Sequence, residues 1–173
     1  MNFEFLQNLK GLSCIYKYCK NAEELALSKP YCSMFASRKS AEALANFIYL
    51  SAYKERAHDL SFSDILTDNV VKKYINDRYV LDAFHSIRKK GNSAVHGDDE
   101  KTIDQAMELL EDLHYVVGET AKNAKLISSY THFCPDIEEH PEAEFYDFDA
   151  KKLAEDIFSE CIAKYRAEKL FHE

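Results

Sequence analysis

Apolar side chains recur in steps of three and four along almost the whole of this 173-residue chain. An α-helix needs that spacing to bury one face, whereas a half-buried strand needs a step of two. From Leu12 to Ala26 the stripe is Leu12, Ile15, Cys19, Ala22 and Ala26, with Pro30 ending or restarting the chain. A second helix is predicted from about Phe35 to Ala57, carrying Ala41, Leu44, Ile48 and Ala52. Ser61 with Asp64 has the form of a capping box and opens a short helix around Ile65, and Val70 and Val71 continue as another short helical piece. Val80, Phe84, Ile87, Gly91 and Ala94 mark a long helix from Asp77 to about Val95. Gly97, Asp98 and Asp99 are expected to stop it and start the next. That next helix runs from Lys101 to about Lys125, with Ile103, Ala106, Leu110, Leu113 and Val117 on one face. A last helix is expected from about Ala150 to Leu170, through Leu153, Ile157, Cys161 and Tyr165.

Only residues 128–148, SSYTHFCPDIEEHPEAEFYDF, break the rhythm. Tyr130, Phe133, Phe145, Tyr146 and Phe148 are too many aromatics for a plain solvated linker, so an ordered loop or wrapping strand is expected. The predicted fold is all-α, an antiparallel helical bundle over 1–127. Residues 128–173 add the acidic, aromatic segment and a C-terminal helix packed on, or extending, the same domain. Four glycines and three prolines, where average usage of roughly 7% and 5% gives about twelve and nine, count against glycine-rich phosphate loops and turn-dense β folds. No apolar run is long enough to span a membrane. The N-terminus, MNFEFLQNLK, lacks the basic and apolar regions of a signal peptide. Five cysteines without a CxxC pair fit a reducing cytosol better than a disulfide framework.

The net charge of −8 is unevenly placed. Residues 1–125 hold 17 basic and 18 acidic side chains, residues 126–150 hold seven acids and no base, and the remainder is balanced. The acidity therefore belongs to the segment that breaks the helical pattern. Three roles fit it: a solvated connector, a docking strip for a basic partner, or a cover over the basic Arg88/Lys89/Lys90 end of the third long helix.

The most informative stretch is FHSIRKKGNSAVHGD, residues 84–98. On a helix, His85, Arg88, Asn92 and His96 form a polar stripe beside the apolar one, at the edge of the core where polar groups need partners. The preceding long helix offers Arg38 and Glu42 one turn apart, and a buried network pairing Arg88 with Glu42 is one expectation.

The pattern Arg-x-x-Gly-Asn-x-Ala-x-His, here Arg88, Gly91, Asn92, Ala94 and His96, resembles the signature of a domain family in the HEPN superfamily. Members stand at the N-terminus of type I restriction-enzyme R subunits or alone. The Arg38–Glu42 pair and the apolar helix after the motif agree with it, so the resemblance covers about residues 1–125. It implies a HEPN-like helical bundle, often paired as a homodimer or built into a larger defence or restriction complex. Many HEPN proteins are metal-independent ribonucleases, in which a His moves the 2′-hydroxyl proton and an Arg neutralises the phosphate. In their motif four to six residues intervene between the Arg and the His. Here seven intervene, which on one continuous helix sets the two backbones about 12 Å apart.

The leading expectation is thus a non-enzymatic HEPN-like accessory or interaction domain of a bacterial anti-phage or restriction system, in contact with nucleic acid. The alternatives are a ribonuclease using Arg88, Asn92 and His96, or a sensor that holds RNA or DNA without cutting. Arg38, Glu42, His85, Lys89 and Lys90 are the candidate binding residues. No cofactor and no metal are expected: His132, Cys134, His140 and Cys161 match no established zinc spacing.

Overall fold

The computed structural model describes residues 1–97 and 99–172, with side chains through residue 165. Among these, seven α-helices and one 3-10 turn (Glu4–Leu6) make up the regular structure, and there is no strand: the protein is all-α. The helices are α1 (Ser13–Leu25), α2 (Pro30–Tyr53), α3 (Phe62–Thr67), α4 (Asn69–Ile75), α5 (Arg78–His96), α6 (Ile103–Asn123) and α7 (Ala150–His172). None is long and apolar enough to cross a membrane.

α2 is the axis of the molecule, and α1, α5, α6 and α7 all pack on it. It is buried on several sides at once, which small side chains permit: Ser33, Ala36, Ser37, Ser40, Ala41, Ala43 and Ala45 let neighbouring backbones come close. The Ser33 hydroxyl donates to the Ala22 carbonyl at 2.7 Å, tying α2 to α1. Around this axis the core gathers Ile15, Leu44, Ile65, Phe84, Ile87, Leu109, Leu113 and Ile157, so α7 contributes to the same core as the bundle.

Local chemistry sets most boundaries. The Ser61/Asp64 capping box opens α3, Asp68 caps α4 through the Val70 and Val71 amides, and Asp77 caps α5 through those of Tyr79 and Val80. Three boundaries differ from expectation. α2 begins at Pro30, because the ring fits the first turn where no amide is needed, and it ends at Tyr53 with Lys54 left-handed (φ 59°). Its predicted extension to Ala57 does not form; the Ala57 carbonyl instead accepts from the Lys151 ammonium of α7 at 2.7 Å. α6 is opened by a Thr102/Gln105 capping box, not by the aspartates after Gly97. Of these, Asp98 lies outside the described residues. Gly97 closes α5 with φ −93°, so its role there needs no left-handed backbone.

α5 and α6 run antiparallel. Ser86 donates to Asp112 at 2.8 Å, and one turn on, Lys90 donates to Glu108 at 2.9 Å.

The acidic segment forms an ordered strap rather than a strand. It crosses α1 and α2, where the Asn21 side-chain amide donates to the Glu144 carbonyl (2.7 Å) and accepts from the Tyr146 amide (3.0 Å). Lys29 donates to the Ala143 carbonyl. Phe148 packs on Tyr18 and Phe145 on Phe35, with ring centroids 4.1 and 5.2 Å apart. The strap does cover a positive surface, but that surface is Lys17, Lys29 and Lys39 rather than the Arg88/Lys89/Lys90 end of α5.

Candidate functional site

The motif residues of α5 meet α2 at Arg38. Gly91 is the reason the two helices come so close: a Cβ at this position would stand 2.6 Å from the Arg38 Cβ. Against this flat spot the Arg38 stem lies along α5. Its Nε donates to Asn92 Oδ1 at 2.7 Å, its Nη1 donates to Glu42 Oε2 at 3.0 Å, and the guanidinium faces the Phe62 ring 5.8 Å away. Gly91, Asn92, Arg38 and Glu42 thus form one lock between α2 and α5. The expected Arg88–Glu42 pair is not made, because Arg38, on the same helix as Glu42, reaches the carboxylate first.

Arg88 is left in an unusual position. Its Nε is buried without a hydrogen-bond partner, and no ion pair involves its guanidinium among the described residues. His85, one turn earlier, is held below the usual histidine range first by burial and then by the charges of Arg88 and Lys89. Lys72 of α4 adds to the same field, with Asp82 opposing it. Lys72, Lys73 and Lys89 likewise make no ion pair among the described residues. Lys72, Arg88 and Lys89, whose charges all act on His85, make a positive corner where α4 meets α5, in a chain where acids outnumber bases 30 to 22, whereas Lys73 lines a cavity with Phe47 and Val80. Lys90, expected to join this group, is spent on Glu108.

His96 stands apart. α5 is unbroken from Arg78 to His96, so Gly91 introduces no bend that would bring it back toward Arg88. Eight residues at ~1.5 Å each keep the two backbones about 12 Å apart along the helix. His96 is exposed at the last position of α5. Of the eight candidate residues, the fold therefore joins Arg38, Glu42 and Asn92 in one cluster and sets His85, Arg88 and Lys89 beside one another. It assigns Lys90 to α6 and leaves His96 alone.

A second polar group was not singled out from the sequence. His114 of α6 is 2% exposed, and the rings of Phe3, Phe5, Tyr130 and Phe133 stand edge-on to it at 5.4–5.8 Å together. Burial pushes its pKa below the usual histidine range, the Asn2 backbone opposes this, and its Nε2 has no hydrogen-bond partner. The signal was present: His114 follows Leu113 and precedes Val117 by three, inside the apolar stripe of its helix. Among the described residues, no three His, Cys, Asp or Glu side chains gather as a metal-ligand set.

Compared with protein-family models, curated proteins and solved structures, the chain has no match in any of the three.

Proposed function

We propose that this chain is a non-enzymatic, HEPN-like helical accessory domain of a bacterial anti-phage or restriction system, meeting nucleic acid at the Arg88/Lys89 corner with Lys72. The observation that carries this reading is the set of cations without carboxylate partners on adjacent faces of α4 and α5. An arginine whose buried Nε has no protein partner is held at an energetic cost, and a phosphate oxygen is the acceptor that fits it. The long interval between Arg88 and His96 on one straight helix favours holding a phosphate over cutting beside it.

The test is retention of fluorescent single-stranded RNA and DNA across a salt series. Salt-sensitive binding, weakened when Arg88 and Lys89 are changed to Gln and without cleavage of the strand, is the expected result. A second reading, a ribonuclease completed by a homodimer, draws on the exposure of His96 and the unpartnered Arg88 Nε. Metal-independent cutting that leaves 2′,3′-cyclic phosphate ends and disappears in His96→Ala would replace the first reading with the second. Absence of both binding and cutting would overturn both.

A further inference from the structure

On the outer side of α5 and α6, where the first residues of the strap cross α6, lies an open groove of about 410 Å³. Tyr79 of α5 forms one wall, Asp112 and Tyr115 of α6 lie along its length, and Tyr130 and Phe133 of the strap form the other wall with His114 between them. Glu111 and His132 complete the lining, which contains no lysine or arginine.

Two independent features describe what such a groove accepts. Aromatic faces dominate its walls, and Tyr79 is 76% exposed with its ring offered to solvent. Its formal charge is negative: Glu111 is exposed, and Asp112 is half-buried with its carboxyl held above the usual range by burial, against the pull of the Ser86 hydroxyl and Lys90. Beneath the aromatic wall lies the buried ring of His114. Phe3, Phe5, Tyr130 and Phe133 all stand edge-on to that ring, which fixes the two strap aromatics in the groove wall. Tyr130 is held in place from below, since its ring lies on Gly118 so closely that a Cβ there would be 2.3 Å from Cζ, and its hydroxyl donates to Glu119 at 2.9 Å.

We infer that this groove is a binding site for an arginine side chain presented by a partner polypeptide. A guanidinium is flat, so it stacks on tyrosine faces, and it carries five N–H donors in a fixed fork. Asp112 and Glu111 accept from that fork. A nucleotide also stacks on aromatics, but its phosphates meet two carboxylates and no cation in this groove, so the charge selects against it. The site stands on α5, α6 and the strap alone and does not depend on nucleic acid binding at the α4–α5 corner.

The experiment titrates the full chain with an acetylated, amidated peptide of alternating Arg and Gly, followed by calorimetry and by amide chemical shifts. Parallel titrations use the same peptide with citrulline, which keeps the shape and loses the charge, and a single-stranded oligonucleotide. The expected result is binding of the arginine peptide at least tenfold tighter than the citrulline peptide, with shifts at Tyr79, Asp112 and His132. Tyr79→Ala and Asp112→Asn each weaken binding at least fivefold, while Lys89→Gln leaves it unchanged. Tyr79 is an exposed side chain, so its variant folds and reads binding alone. Equal binding of the citrulline peptide, undiminished binding in Tyr79→Ala, absence of binding, or displacement of the peptide by the oligonucleotide overturns the proposal.

Discussion

Arg38 and Arg88 lie in the same region of the fold yet carry opposite roles. Arg38 is satisfied by Asn92 and Glu42, so removing Asn92 leaves a half-buried guanidinium N–H without an acceptor. Asn92→Ala is expected to cost about 1–2 kcal/mol and to lower Tm by roughly 2–8 °C in a thermal melt. Arg88→Met keeps the aliphatic stem and removes an unpartnered buried N–H, so its Tm should stay within about 2 °C of the parent or rise. A large drop in Arg88→Met would mean that Arg88 is structural after all. His114 makes a separate prediction through pH. Its folded pKa is depressed, so near pH 6 the unfolded chain binds more protons, and stability falls as pH drops below about 6.5. His114→Phe, surrounded by aromatic rings and without the orphaned nitrogen, should shrink the difference between Tm at pH 7.5 and at pH 5.5.

At the scale of helices, the critical contact is the crossing of α2 and α5 at Gly91. Alanine there gains about 1 kcal/mol of helix propensity, but its Cβ collides with the base of the Arg38 side chain, which has no room to swing away. The helices must separate, and Gly91→Ala should be destabilising by about 1–3 kcal/mol in denaturant titration; a stabilised variant would refute the close crossing. The helices themselves were legible in advance, down to the Ser61/Asp64 capping box, because periodicity and caps act over three or four residues. The N-terminus of α2 was misplaced for a related reason. Pro30 is a breaker when read from one side and a favoured first residue when read from the other, and only the packing of the Tyr31–Met34 turn selects between them.

Across the whole molecule, the strap ties the N-terminal residues, α1 and α2 to α6. Asn21 is its double anchor, donating to one strap carbonyl and accepting from one strap amide. Asn21→Ala is therefore expected to speed proteolysis within residues 128–148 several-fold while leaving far-UV circular dichroism unchanged. Equal cleavage rates would show that the aromatic contacts alone hold the strap. From sequence alone, the all-α class, the order of the long helices, the motif on α5 and the confinement of acidity to one segment were determined, since each rests on residues close together in the chain. That Arg38 also takes Asn92, which lysines the strap meets and how His114 comes to line a groove were decided only in three dimensions. Those contacts join residues 54 and 125 positions apart, as in Arg38–Asn92 and Asn21–Tyr146. Their partners are chosen by helix register and by the space a glycine leaves open, and no local pattern encodes either.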